Sequence, residues 1–262
     1  MIVKKMSGHS GCDVYLMSDE QQRLYVRKIS ANDQYNERLK RQMFKQQSFS
    51  SSFIKRPDVY QHGVTSEGLF YFDMEYVRGV SFFEYVQKNS IASVKAKFKI
   101  ILDYISESNE ISEGISLDIT SKINSLQIDS KYDRYKQYCL DFDWQQVNKS
   151  YCHGDLTFEN IIISNEEIYF IDFLDSFTDT KLIDYSKIFQ ELYAFWSFRN
   201  KDKKFNIKYV ILDEMVNLVA ATREATLRLL VLSLLRILPY SDKDECQFLE
   251  EQMKYILENN GE

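Results

Sequence analysis

Apolar positions change their period along the chain. Val14–Met17 and Leu24–Ile29 are short runs rich in β-branched and aromatic residues, separated by the polar stretch SDEQQ. That pattern predicts two strands joined by a hairpin turn. With the glycine-bearing segment before them, residues 1–30 are predicted as strand, glycine turn, strand, polar turn, strand. Asp33–Gln47 has no Gly or Pro and many helix formers, which predicts one helix capped by Asn32 or Asp33. Val59–Gly63 and Leu69–Val77 flank VTSEG and predict a second strand pair. From Ser81 the apolar residues fall near the 3.6-residue period, in Phe82–Asn89 and Val94–Ser108. Residues 114–150 carry moderate helix signals. Ile161–Ile163 and Ile168–Phe173 form another strand–turn–strand pattern around SNEE. Beyond Asp184 the chain is predicted helical: Tyr185–Phe198, Tyr209–Leu238 and Asp242–Asn259. The expectation is an α+β, bilobal chain: residues 1–78 a small antiparallel β lobe with one helix, residues 79–262 a larger, mainly helical lobe.

Composition narrows the function classes. A chain of 262 residues with only 2 Pro and 8 Gly is long enough to bury a core without staples. Its 33 basic and 39 acidic residues give a net charge of −6, which disfavours nucleic acid as a partner. Cys12, Cys139, Cys152 and Cys246 are scattered without metal-ligand or disulfide spacing, and the expectation is a cytoplasmic protein. The most apolar run, Leu227–Leu238, carries Arg228, Ser233 and Arg236 and is too short to span a bilayer. It is expected to be a core helix, with no membrane insertion.

The chemistry concentrates in HGDLTFEN, His153–Asn160, and in Asp172 of YFIDF. Asp155 follows a glycine in a polar loop, and Asn160 comes five residues later. Asp172 follows the second of two short strands, so a hairpin of that length folds back and lets Asn160 and Asp172 converge. Two oxygen ligands suit Mg²⁺. A further carboxylate, Asp155, can accept a proton from a substrate hydroxyl, the arrangement phosphoryl transfer uses.

HGDLTFEN with IDF resembles the catalytic signature of the aminoglycoside phosphotransferase and choline kinase superfamily, which shares the protein-kinase fold. The resemblance implies ATP and Mg²⁺ as cofactors, Asp155 as the catalytic residue and Asn160 and Asp172 as metal ligands. Ser7, Gly8, Ser10 and Gly11 lie where a glycine-rich loop covers the phosphates, although a third glycine is missing. Lys28, in LYVRKIS, resembles the phosphate-binding lysine, and Glu37 the acid that braces it. Arg27, next to Lys28, points to the opposite face of the strand. Glu75 and Tyr76, in MEYVRG, resemble the hinge that binds adenine, with Gly79 turning the chain into the second lobe. Asp184 resembles a structural, helix-capping aspartate, and Asp175 is a candidate second carboxylate beside the metal. Protein-kinase D-F-G and A-P-E are absent. The segment after Asp172 also looks like a bacterial subgroup linked to surface polysaccharide synthesis.

The expected function is an ATP- and Mg²⁺-dependent kinase for a small-molecule alcohol, a sugar or sugar derivative first. Alternatives are a choline, ethanolamine or aminoglycoside kinase, or a catalytically inactive nucleotide-binding protein. Tyr193, Phe195, Trp196 and Phe198 stand either as core or as an aromatic cage for a quaternary ammonium.

Overall fold

Alternation along one strand sets the faces of the first sheet. The computed structural model describes residues 1–6, 12–199, 207–219 and 223–260. The chain divides into two units, Met1–Phe82 with Asn160–Asp175, and Phe83–Glu159 with Ser176–Glu262.

In the first unit, β1 (Ile2–Met6), β2 (Asp13–Ser18), β3 (Leu24–Ile29), β5 (Val59–Val64) and β6 (Phe70–Glu75) form an antiparallel sheet in the order β1-β2-β3-β6-β5. β3 buries Val26 and Lys28 on one face. Arg27 lies on the other face, as its position predicts, and forms a bidentate pair with Asp73 opposite it on β6. A 3₁₀ turn over Asp33–Tyr35, capped by the Asn32 side chain, leads into α1 (Asn36–Ser48). α1 packs on β6, and Leu39 and Met43 join Val26, Phe70, Phe72 and Met74 in one core cluster.

The second small sheet of this unit departs from the expected boundary after residue 78. β4 (Ile54–Lys55), β7 (Val80–Ser81), β10 (Ile161–Ser164) and β11 (Glu167–Phe170) pair in the order β4-β11-β10-β7. These ladders tie residues 79–82 and the 160–175 hairpin to the N-terminal unit, because strand pairing overrides sequence distance. Gly79 bends the chain just before β7 and also approaches β10 closely. A Cβ there would overlap the Ile163 carbonyl oxygen and lie 2.6 Å from Ile162 Cγ2.

In the second unit, α2 (Phe82–Lys88) precedes α3 (Ile91–Ser106), which is capped by Ser90 and buries Val94, Phe98, Ile101, Leu102 and Ile105. The 114–150 region, read as helical, also contributes a strand pair, β8 (Glu110–Gly114) with β9 (Asn148–Ser150), around α4 (Ser116–Asn124) and α5 (Asp133–Leu140). α6 (Lys181–Tyr193) packs on α8 (Arg223–Ile237). The predicted helical stretch 209–238 contains α7 (Ile207–Val219) and α8, with 220–222 outside the described residues, and α9 (Lys243–Asn260) follows. The apolar run is a core helix: α8 buries every residue from Leu229 to Leu235. No helix among the described residues is long and apolar enough to cross a membrane. All four cysteines are free thiols.

Gly79→Ala is expected to lower unfolding stability by about 1–3 kcal/mol, the range for forcing extra carbon into a packed site. Urea denaturation measures it, and an unchanged midpoint would show that the β7–β10 approach relaxes freely.

Candidate active site

The residues singled out in the sequence are divided between the units. Lys28, Asn160 and Asp172 belong to the first and Asp155 to the second.

In the first unit, β10 and β11 pair Ile161 with Phe170, and the Ile171 amide donates to the Asn160 carbonyl. That register sets Asn160 beside the residue preceding Asp172, as the hairpin length predicts. Asp172 adopts φ 61°, a left-handed conformation that aspartate tolerates better than most residues. Its carboxylate is ion-paired with Lys28 Nζ. Lys28 is only 3% exposed. Burial disfavours its ammonium, but the Asp172 carboxylate outweighs this and holds the lysine above its usual range.

Glu37 does not brace Lys28. Its side chain is 75% exposed and lies 3.9 Å from Lys40 on its own helix. The brace is Gln42: its Oε1 accepts from Lys28 Nζ at 3.2 Å, and its Nε2 donates to the Tyr35 hydroxyl. The 3₁₀ turn delays the start of α1, and the buried face of the helix is Leu39, Gln42, Met43 and Gln46. Glu37 lies off that face. The apolar spacing of Leu39 and Met43 was the available signal, since Gln42 shares their side. α1 also holds the segment after Asp172: Arg41 donates to the Asp175 carboxylate and Lys45 to the Leu174 carbonyl. Asp175 is thus an ion-pair partner of α1.

Glu75 closes the β5–β6 end, its amide donating to the Asp58 carbonyl and its carboxylate accepting from the Asp58 amide. Tyr76 packs against the sheet–helix core. Ser7, Gly8, Ser10 and Gly11 lie outside the described residues.

In the second unit, HGDLTFEN is an irregular loop whose Leu156 and Phe158 are fully buried. Gly154 sits at φ 93°, a conformation that costs glycine nothing. Asp184 in α6 accepts from the His153 amide at 2.7 Å and the Gly154 amide at 2.9 Å. Its role is to hold the loop backbone. His153 is structural, its Nδ1 accepting from the Asp155 amide. Glu191, also in α6, accepts from the Phe158 amide and from the Ser197 amide and hydroxyl. Asp155 itself pairs with Lys187 of α6, with Nζ 3.0 Å from Oδ1. The sequence reading missed Lys187 and Glu191. Their signal was the i, i+3 and i+7 spacing that sets them on one side of the helix with Asp184.

The four aromatics have separate neighbours in part: Phe195 and Phe198 both pack on Tyr209, Phe198 also meets Phe83, Tyr193 lies tilted against Phe189, and the Arg199 guanidinium covers Trp196.

Comparison with solved structures extends the picture. An aminoglycoside phosphotransferase APH(4)-Ia in ternary complex with ADP and hygromycin B superposes with a TM-score of 0.71, covering 99% of this chain and 94% of that one at 15% identity. The chain carries the aminoglycoside phosphotransferase and choline kinase fold. Choline kinase LicA from Streptococcus pneumoniae matches with a TM-score of 0.61, covering 97% and 92% of the two chains at 14% identity. A putative fructosamine-3-kinase from Haemophilus somnus gives 0.57, covering 98% and 92% at 15% identity. Relatives of this fold have been solved with ADP, AMP-PNP and AMP. No family profile and no curated protein matches the sequence.

Burial pushes the Glu191 carboxyl up to about 7, against the hydrogen bonds from Ser197 and Phe158; nearby Glu159 adds to the rise. A carboxyl raised from 4.5 holds a proton in the folded state that the unfolded chain has already released. Its contribution is therefore full below pH 4.5 and is lost as pH rises through 7. The slope is up to about 1.4 kcal/mol per pH unit. Glu191→Gln is expected to remove that component, so the stability gap between wild type and variant narrows from acid to neutral pH. Denaturant midpoints along a pH series test this, and parallel profiles would refute it.

Proposed function

We propose that the chain is an ATP- and Mg²⁺-dependent phosphotransferase acting on a hydroxyl of a small molecule, a sugar or sugar derivative. The supporting observation is the first-unit arrangement: a buried lysine paired with a left-handed Asp172, beside Asn160 across a hairpin. A buried ammonium needs an anionic partner, and a carboxylate with an amide at adjacent strand ends offers hard oxygen donors. Among the described residues no three His, Cys, Asp or Glu side chains form a metal cage. A carboxylate and an amide oxygen suit magnesium, which takes one or two protein oxygens and completes its shell with water and phosphate.

Asp172 and Asn160 would hold the ion, which supplies charge neutralisation at the phosphates when bound. Lys28 binds phosphate oxygens, kept in place by the neutral Gln42. Asp155 orients the acceptor hydroxyl and accepts its proton. Glu75 and Tyr76 lie at the strand end that takes the adenine, and Ser7, Gly8, Ser10 and Gly11 would cover the phosphates. The sugar reading draws on two similar structures named for sugar-derived substrates, an aminoglycoside phosphotransferase and a fructosamine kinase. The aromatics near α6 are engaged with Arg199, Phe189 and Phe83, which disfavours a choline cage.

The test is ADP release from Mg-ATP across a panel of alcohols that includes aminoglycosides, fructosamines and choline. Asp155→Asn is expected to lower kcat at least about 10²-fold with Mg-ATP affinity intact. Near wild-type turnover would remove Asp155 from the mechanism. Asp172→Ala is expected to abolish the magnesium-dependent part of ATP binding, read by calorimetry with and without the metal. Undiminished dependence would sink the metal assignment and favour an inactive nucleotide-binding protein.

A further inference from the structure

Asp184, Lys187 and Glu191 lie at i, i+3 and i+7 on α6, so they share one side of the helix. All three reach the HGDLTFEN loop. Asp184 and Glu191 bind its backbone, at His153 and Gly154 and at Phe158. Lys187 addresses a side chain, and that side chain is Asp155. Its ammonium lies 3.0 Å from Asp155 Oδ1 and 3.3 Å from Gln190 Oε1. The Lys187 side chain is 12% exposed and that of Asp155 29%.

The loop's path does not need Lys187. Asp184 and Glu191 already hold its backbone near both ends, and Leu156 and Phe158 are buried between them. What Lys187 adds acts on the carboxylate. The terminal torsion of an aspartate is broad and nearly two-fold, so an untethered carboxylate samples many planes. A covered ammonium on Oδ1 selects one. It also keeps a positive charge beside the point where an acceptor hydroxyl would be deprotonated. A lysine with this little exposure has few alternatives to its two acceptors, because an unpaired buried ammonium is costly.

We propose that Lys187 is a positioning residue for Asp155, fixing the plane of the carboxylate that takes the acceptor's proton. This deepens the phosphotransferase reading and rests on it. Lys187 here acts through Asp155 and not on the nucleotide, so its loss falls on turnover and not on Mg-ATP binding.

The test is a double-mutant cycle on the full chain, using Lys187→Met, Asp155→Asn and the pair. Turnover is read as ADP release from Mg-ATP with hygromycin B, a fructosamine or choline, whichever gives the highest rate, or with water where none exceeds it. Mg-ATP binding is read by calorimetry and folding by thermal melting. Lys187→Met is expected to lower kcat at least about tenfold with the KM for Mg-ATP unchanged, and to add less than about twofold in the Asp155→Asn background. Lys187→Arg is expected to recover most of the loss, since a guanidinium also holds a carboxylate oxygen. Should Lys187→Met fail to melt cooperatively, Lys187→Gln takes its place in the cycle. Additive losses, an unchanged kcat in the single variant, or Lys187→Arg no better than Lys187→Met would each overturn the positioning role while leaving the kinase reading standing. A wild-type chain that neither binds Mg-ATP nor releases ADP would overturn the kinase reading, and this role with it.

Discussion

The second unit depends on a helix whose carboxylates accept hydrogen bonds from the loop packed against it. HGDLTFEN has no ladder to satisfy its amides, and buried amides without partners are costly. α6 supplies the acceptors. Asp184 takes the first two amides of the loop and Glu191 the amide of Phe158. This explains an otherwise odd composition. α6 buries Asp184, Ser186, Gln190 and Glu191 among Leu182, Ile183, Ile188, Phe189 and Leu192. α6 packs on α8, while Asp184 and Glu191 replace the water the loop has lost. Two buried carboxylates would be hard to justify in a plain amphipathic helix. They are accounted for once each receives two or three hydrogen bonds, from the loop and the Ser197 turn.

Much of this architecture was legible in the sequence. Short β-branched runs, polar turns and the period change after Ser81 located the elements to within a few residues. The hairpin that sets Asn160 beside Ile171, the residue before Asp172, followed from strand length alone. The opposite facing of Arg27 and Lys28 followed from strand alternation, and the structure accounts for both faces, Arg27 with Asp73 and Lys28 with Gln42 and Asp172.

The misreadings have separate physical causes. Glu37 was chosen by charge, as the acid most like a lysine's brace. Helix rotation decides otherwise: five residues at about 100° each set Glu37 roughly 140° away from Gln42, so both cannot face Lys28. The apolar pair Leu39 and Met43 marks which side is inward. The boundary after residue 78 failed because β7 and the 160–175 hairpin join the first unit by pairing across a long separation, which local periodicity does not encode. The region around 110–150 hid a strand pair whose residues, such as Glu110 and Lys149, are polar. Within the 209–238 stretch both described parts, α7 and α8, are helical as their periodicity predicts.

The neutral brace on Lys28 has a consequence for charge balance. A lysine held by a glutamate keeps its counterion whatever else arrives. Lys28 instead has a neutral amide, Gln42, and one carboxylate, Asp172. The pair is therefore a mutual placeholder. Lys28 satisfies Asp172 where a divalent ion would, and Asp172 satisfies Lys28 where an anion would. Withdrawing Asp172 alone would leave the buried Lys28 ammonium without its counterion, while the Asp172 side chain itself is 37% exposed. On the phosphotransferase reading proposed above, a cation and an anion arriving together would replace both at once, with Gln42 holding the ammonium. The same logic separates Lys28 from Arg27 on the strand's other face, whose bidentate pair with Asp73 is closed within the sheet and offers no such exchange.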